Sequence, residues 1–191
     1  MKKTGLFFGS FNPIHIGHMI LAEYMIENTD LEELWFIPSP QNPLKEKKSL
    51  LAENHRLALV KVAIEDDSRF KVNDIEFKMP QPSYTIDTLT RLSEKYPNNQ
   101  FVLICGTDIF NSLRKWKNHQ ELLKQYCFYV YNRPGSDLAE FKGDPAIKLF
   151  EAPLIEISSS FIRRSIKGSK DVKYMLPEKV YTYIEEMHFY K

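Results

Sequence analysis

The chain is short of most features that mark a secreted, membrane-bound or nucleic-acid-coating protein. It has only two cysteines, Cys105 and Cys127, in 191 residues. Two thiols without a CxxC pair build neither a disulfide framework nor a zinc site, so both are expected buried and reduced, in a cytoplasmic setting. Excess charge of one sign is missing too: 26 basic residues face 25 acidic ones, a formal net charge of +1. A protein that follows a phosphate backbone carries a basic surplus, so nucleic acid is not an expected partner. No apolar run approaches the roughly 20 residues that a membrane-spanning helix needs, and no membrane partner is expected. The opening residues 1–8 look briefly like a secretory leader, but their apolar part stops at Gly9, which is too early for one. Repeats and low-complexity tracts are absent as well.

What is present is ordinary globular material, 43% hydrophobic and 27% charged. That length and composition suit a single domain over residues 1–191, large enough to bury a core without staples. Short apolar segments alternate with helical patterns, which predicts an α/β fold: a Rossmann-like, doubly wound, mostly parallel sheet with helices on both faces. Strands are expected at 6–8, 34–37, 70–72, 101–105, 127–131 and 146–150. Helices are expected from Ile16 to about Met25, and over 53–65, 85–95, 113–124 with a break near Asn118, 158–166 and 177–186. A loop rich in Pro and Lys runs from 38 to 48. In such sheets ligands sit beyond the carboxyl ends of the strands, where the strand order reverses. Residues 9–18 and 106–108 should meet there.

The chemistry concentrates in Gly9-Ser10-Phe11-Asn12-Pro13-Ile14-His15-Ile16-Gly17-His18. A glycine ending a strand lets a phosphate approach the main chain, and the helix that follows points its free N–H groups at the anion. His15 and His18, three apart at a helix start, share a face, with Gly17 between them adding no side chain. Gly9, Ser10, Phe11 and Gly17 are therefore expected at the ATP phosphates, with His15 and His18 as the donors that act during transfer. A second element, Ile157-Ser158-Ser159-Ser160-Phe161-Ile162-Arg163, places three serines at a helix start and a permanent cation about a turn later. Ser158, Ser159 and Ser160 suit phosphate binding, and Arg163 suits the β- and γ-phosphates.

The first segment resembles the nucleotidyltransferase superfamily whose (T/H)xGH signature lies within G(S/T)FDPxHxGH, and the second resembles its ISSTxIR motif. The resemblance narrows to the bacterial nicotinate-nucleotide adenylyltransferases, across nearly the whole chain. It rests on Pro82-Ser83-Tyr84-Thr85-Ile86-Asp87-Thr88-Leu89, on Gly106-Thr107-Asp108 with Trp116 after it, on Arg133-Pro134-Gly135, and on residues 176–184. That family makes deamido-NAD and pyrophosphate from ATP and nicotinate mononucleotide, with Mg²⁺, in NAD biosynthesis. The resemblance implies that Gly106 and Asp108 serve the nucleotides, Asp108 on a ribose hydroxyl, and that Arg133 serves the substrate. A flat ring bearing a carboxylate suits Trp116 as a stacking face, with Thr85 and main-chain groups near Tyr84 as donors. No protein-held metal is implied, since no carboxylates cluster in these motifs, and Mg²⁺ is expected to arrive on ATP.

The sequence also departs from the family. Phe8-Gly9 stands where two glycines are usual, and Asn12 where an aspartate is. Pro40-Gln41-Asn42-Pro43-Leu44-Lys45 resembles the family's PPHK loop without its first proline and its histidine, leaving Lys45 as the group expected to reach the substrate. Rival readings stay open: the same transfer onto nicotinamide mononucleotide or phosphopantetheine, or a catalytically silent nucleotide-binding regulator. A homo-oligomer is open too. An aminoacyl-tRNA synthetase, which shares a HIGH-like motif, would need a far longer chain.

Overall fold

Apolar side chains alternate along the strands between two faces, and that alternation decides the architecture. In the computed structural model, which describes residues 1–40 and 50–191, the elements run β1 Lys2–Gly9, α1 Ile16–Asn28, β2 Glu33–Pro38, α2 Glu53–Ile64, β3 Phe70–Val72, α3 Thr85–Lys95, β4 Asn99–Gly106, α4 His119–Gln125, β5 Cys127–Tyr131, β6 Ile147–Phe150, α5 Ser159–Lys167 and α6 Glu178–Glu186. The strands form one sheet in the order β3-β2-β1-β4-β5-β6, every pairing parallel. Phe7, Leu34, Phe36, Val102, Ile104, Tyr129 and Tyr131 point to one face, where they pack with Leu21 and Met25 of α1, Leu59 and Val60 of α2, Ile162 of α5 and Ile184 of α6. Leu6, Trp35, Ile37, Phe101, Leu103, Phe128 and Val130 point to the other, under Ile86 and Leu89 of α3 and Leu122 of α4. Both faces of a central parallel sheet must be covered, so these strands read as near-continuous apolar runs. Among the described residues no helix is long and apolar enough to cross a membrane.

The amino ends of the strands carry a structural pin. Glu33, buried at the start of β2, forms ion pairs with Lys2 and Lys71 at 2.8 and 2.6 Å. It also accepts from Thr4 Oγ1 and Asn99 Nδ2, each at 3.1 Å. Burial alone would raise its pKa, but the two lysines and Thr4 together hold it below the usual value. Three neighbouring strands and the edge strand β3 are thereby tied at the end away from the site.

The doubly wound expectation holds, with the reversal of strand order between β1 and β4. β1 is longer than its apolar stretch, because Lys2 to Thr4 pair with Asn99 to Phe101 through the main chain, whatever their side chains. The helix expected over 113–124 is two pieces, a 3-10 turn at Leu113–Lys115 and then α4, separated at Asn118, whose φ of 52° is left-handed. Cys105 is buried, and burial pushes its thiol pKa up, whereas Cys127 is only half-buried. Most of the 38–48 loop, Leu44 and Lys45 included, lies outside the described residues.

Phe36, fully buried, packs its ring against Phe7 at 5.8 Å, Phe11 at 5.5 Å and Phe70 at 6.1 Å. Phe36→Ala should cost about 3–5 kcal/mol, the usual penalty for a buried ring that leaves a cavity. Urea unfolding checks it, and a loss under about 1 kcal/mol would contradict this account of the core.

Candidate active site

At the carboxyl ends of β1 and β4 the chain turns away from the sheet twice, and both turns are crowded. A Cβ on Gly9 would lie 2.9–3.2 Å from the Phe11 ring. Phe11 itself takes a left-handed φ of 44° and folds back into the core, edge-on to Phe7 at 6.0 Å. The loop thus winds around its own aromatic anchor, and only glycine leaves room for it. Its outer edge is fixed by Arg56, whose Nη1 donates to Ser10 O at 2.8 Å and Ser39 O at 2.6 Å. Arg56 Nη2 donates to Pro40 O at 2.9 Å and its Nε to Leu51 O at 3.0 Å.

The two histidines open α1. His15 is its N-cap and His18 its third helical residue. The rings stack, centroids 3.8 Å apart, and His18 is flanked edge-on by Phe11 at 5.1 Å and Phe7 at 6.0 Å. His15 N–H donates to His18 Nδ1 at 3.2 Å. The imidazole here does what a glutamate does in a capping box, satisfying the N-cap amide from the first turn. That bond fixes the tautomer of a neutral His18: Nδ1 accepts, so Nε2 carries the hydrogen and can donate to an anion. A Cβ on Gly17 would sit 3.1 Å from His15 Nδ1 and 3.3 Å from Ile155, so any other residue would push the ring aside.

His15 is 5% exposed, and its buried Nδ1 has no hydrogen-bond partner among the described residues. Burial, and second the Arg133 guanidinium, push its pKa down from 6.5 to about 4. The influence of the Arg133 guanidinium on His15 puts β5's exit on the same side as the histidines. Arg133 N–H donates to Thr107 Oγ1 at 2.9 Å, and its guanidinium lies 5.3 Å over the Tyr131 ring. Its Nε is 3.9 Å from Asp108 Oδ1. Asp108 is exposed, and a Cβ on Gly106 would collide with the Asp108 and Arg133 side chains, which explains glycine at that turn.

The start of α5 meets the same loop. Ser158 is the N-cap, accepting from Phe161 N–H at 3.2 Å, while Ser159 Oγ donates to Pro13 O at 2.9 Å. Arg163 Nη1 donates to Asn12 O at 2.7 Å and its Nη2 to Ser160 Oγ at 3.2 Å. All three serine hydroxyls are therefore engaged within the fold, as helix cap, loop clamp and arginine rest. Residues 9–18 and 158–163, far apart in sequence, form one surface.

On the other side of the switch point lie the residues expected at the second substrate. Tyr84, exposed, is the N-cap of α3 and Thr85 its first residue. Lys117 ion-pairs with Asp87 at 2.8 Å and sits 5.0 Å over the Tyr84 ring, which draws Trp116 and α3 together. Trp116 is half-buried against the core beneath α3. Beneath Tyr84, Thr88 Oγ1 donates to the buried carboxylate of Glu76 at 2.8 Å. Of the residues singled out from sequence, those among the described residues lie at this end of the sheet, and Lys45 lies outside the described residues. Arg56 and Glu76 carried no local signal, because their partners lie 5–46 and 12 residues away.

A cytidylyltransferase-like family model matches residues 6–165. Among curated relatives, the chain is 49% identical over 191 residues to a "probable nicotinate-nucleotide adenylyltransferase" of Flavobacterium psychrophilum, covering 99% of each. It is 50% identical to one of the same name from Christiangramia forsetii, covering 100% of this chain and 99% of that one. Its fold matches the nicotinic acid mononucleotide adenylyltransferase of Plasmodium falciparum solved with NaAD, at a TM-score of 0.83 and 22% identity, over 100% and 98% of the two chains.

A His15 that stays neutral has two consequences. Below pH 6.5 the unfolded chain takes up a proton that the native ring refuses until about pH 4. His15 therefore contributes stability that is complete above pH 6.5 and lost as pH falls towards 4. In the apoprotein the His15 ring should show no NMR titration between pH 5.5 and 7.5. A midpoint near 6.5 would mean that the ring is not buried as described.

Proposed function

This chain belongs to the cytidylyltransferase-like family, and within it to the nicotinate-nucleotide adenylyltransferases, and on that premise we propose how its residues move AMP from ATP onto nicotinate mononucleotide, giving deamido-NAD and pyrophosphate in NAD biosynthesis. The observation that carries the reading is the stacked His15–His18 pair at the start of α1, joined to α5 by the Arg163 bond to Asn12 O.

A phosphate oxygen of the mononucleotide attacks the α-phosphorus of ATP. The new P–O bond forms as the bond to the bridging oxygen breaks, and pyrophosphate leaves with that electron pair. The attacking phosphate is already ionised at neutral pH, so no general base is needed and no covalent intermediate with the protein is invoked. What the protein supplies is placement of two anions and donors aimed at developing charge. His18 Nε2–H donates near the α-phosphate, and Arg163 holds the departing pyrophosphate. His15, neutral in the apoprotein, gains a reason to bind a proton or donate its N–H once phosphates arrive beside it. Gly9, Ser10, Phe11, Gly17 and the first turn of α5 at Ser158, Ser159 and Ser160 line the phosphates, with Gly106 and Asp108 at a ribose.

Among the described residues no three of His, Cys, Asp and Glu gather to hold a metal. Mg²⁺ would come to this site as a companion of ATP, neutralising its phosphates, with Asp108 as the carboxylate at hand. Trp116, Tyr84, Thr85 and Arg133 are the acceptor side, and Lys45 is assigned there by resemblance alone. Acid-over-amide choice then depends on N–H and hydroxyl donors near Tyr84 and Thr85. The two free cysteines and the near-even charge balance fit a cytoplasmic reaction between two small nucleotides.

Pyrophosphate release from Mg-ATP, measured with nicotinate mononucleotide, nicotinamide mononucleotide or phosphopantetheine, tests the proposal. The nicotinate compound should be turned over best, and no turnover with any acceptor would favour a silent regulator. His18→Ala should lower kcat by about 100-fold or more with folding intact, the usual cost of a lost transition-state donor. Trp116→Ala should raise KM for the mononucleotide about tenfold and leave KM for ATP nearly unchanged, whereas equal effects would end the stacking role.

A further inference from the structure

Asn12, buried in the middle of the phosphate loop, is gripped from three distant parts of the chain. Its carbonyl accepts from Arg163 Nη1 at 2.7 Å. Its side-chain Oδ1 accepts from Leu51 N–H at 3.2 Å and from the Tyr190 hydroxyl at 2.9 Å. Tyr190 comes from the segment after α6, 178 residues away in sequence. Its hydroxyl is withdrawn from water, which pushes the phenol pKa up, and it faces the guanidinium groups of Arg163 and Arg56. It is therefore a permanent donor, aimed at the one loop residue whose carbonyl carries Arg163.

The approach of this phenol is not conformationally free. His188 and Tyr190 have φ of 53° and 66°, both in the left-handed region that side chains avoid. Such backbone persists where surrounding contacts over-determine it, often beside functional groups. The Tyr190 ring also packs beside Phe189, 6.2 Å away, and against the core. A purely structural role would reside in that ring, whereas the hydroxyl has a separate target.

We infer that the Tyr190 hydroxyl is a positioning group for the ATP-phosphate loop, acting through Asn12 to hold the Asn12 carbonyl, and with it Arg163, in register with His15 and His18. The inference rests on residues 9–18 being the loop that binds ATP. Loss of the hydroxyl removes the Tyr190 bond to the Asn12 side-chain oxygen, so the loop can turn and the carbonyl that receives Arg163 shifts with it. ATP should suffer, while the acceptor mononucleotide, bound near Tyr84 and Trp116, should not.

The test compares wild-type protein, Tyr190→Phe and Tyr183→Phe. Tyr183 lies on α6, and its hydroxyl meets the His55 ring nitrogen at 3.5 Å, making it a control for any lost phenol hydroxyl in this part of the chain. The measurements are the Kd of α,β-methylene-ATP without acceptor, KM for each substrate, and thermal midpoint. Tyr190→Phe should weaken analogue binding and raise KM for ATP about five- to tenfold, as loss of one buried hydrogen bond does. KM for nicotinate mononucleotide should stay unchanged, and Tyr183→Phe should match wild type. Wild-type ATP binding by Tyr190→Phe, an equal rise in both KM values, or equal weakening by Tyr183→Phe would each overturn the inference. A wild-type protein that fails to bind the analogue would overturn the loop assignment itself, a result separable from failure of Tyr190→Phe alone.

Discussion

A buried guanidinium sets where the chain leaves the sheet. Arg56 has no exposed surface, and the bonds that hold it run to main-chain carbonyls of Ser10, Ser39, Pro40 and Leu51. Burial lowers its pKa, yet a guanidinium stays charged in almost any setting, so its cost is offset only by filling its donor positions. Those donors form a rigid planar fork, and lysine could not span four carbonyls in the same way. The exits of β1 and β2 are thereby locked to each other. The phosphate loop begins on one of those carbonyls, and everything that depends on its shape follows, including the Phe11 anchor, the stacked imidazoles and the Asn12 carbonyl that receives Arg163.

The electrostatics of the site follow from the same crowding. Arg133 acts on His15, one of two imidazoles whose rings are 3.8 Å apart, while Arg56 and Arg163 hold the main chain of the same loop at Ser10 and Asn12. A further charge on His15 would stand beside Arg133 in a place with little water, and burial with that repulsion keeps the ring neutral. The apoprotein thus avoids part of the cost of its own anion site. Under the proposed function, arriving phosphates would reverse the balance, since each nearby negative charge favours every donor in the group.

Local signals were legible, and distant ones were not. A strand closed by Gly9, the Asn12-Pro13 entry and the paired histidines lie within ten residues, so the turn, the helix start and the shared face could all be read from spacing. The helix break near Asn118 was legible for the same reason, though its left-handed backbone was not. The left-handed Phe11 was not, because nothing in a Gly-Ser-Phe sequence says that the ring turns back under its own glycine. Arg56 and Tyr190 were invisible because arginine and tyrosine are common and their partners are set by the fold. The serines show the limit from the other side. Three at a helix start suggest hydroxyls available to phosphate, yet here each has a structural partner, so the proposed transfer leans more heavily on main-chain N–H groups and Arg163.

Transfer between two anions needs both sites held in one frame, and the contacts around Ser39 supply it. The Ser39 carbonyl is bound by Arg56, which also holds Ser10 of the phosphate loop. The Ser39 side chain bonds to the Glu76 carboxylate, together with Ser83 and Thr88. Burial raises the pKa of Glu76 despite those hydroxyls, and the group ties β2's exit to the residues flanking Tyr84 and Thr85. Phosphate loop and acceptor wall are thus linked through a short run of hydrogen bonds, Ser10 to Arg56 to Ser39 to Glu76 to Thr88. An in-line attack loses rate steeply when the reacting atoms are misplaced by even an ångström or so. A frame built from main-chain carbonyls and one buried carboxylate holds that distance with few side-chain rotations to freeze. The part of the molecule that does no chemistry therefore decides whether the chemistry is in reach.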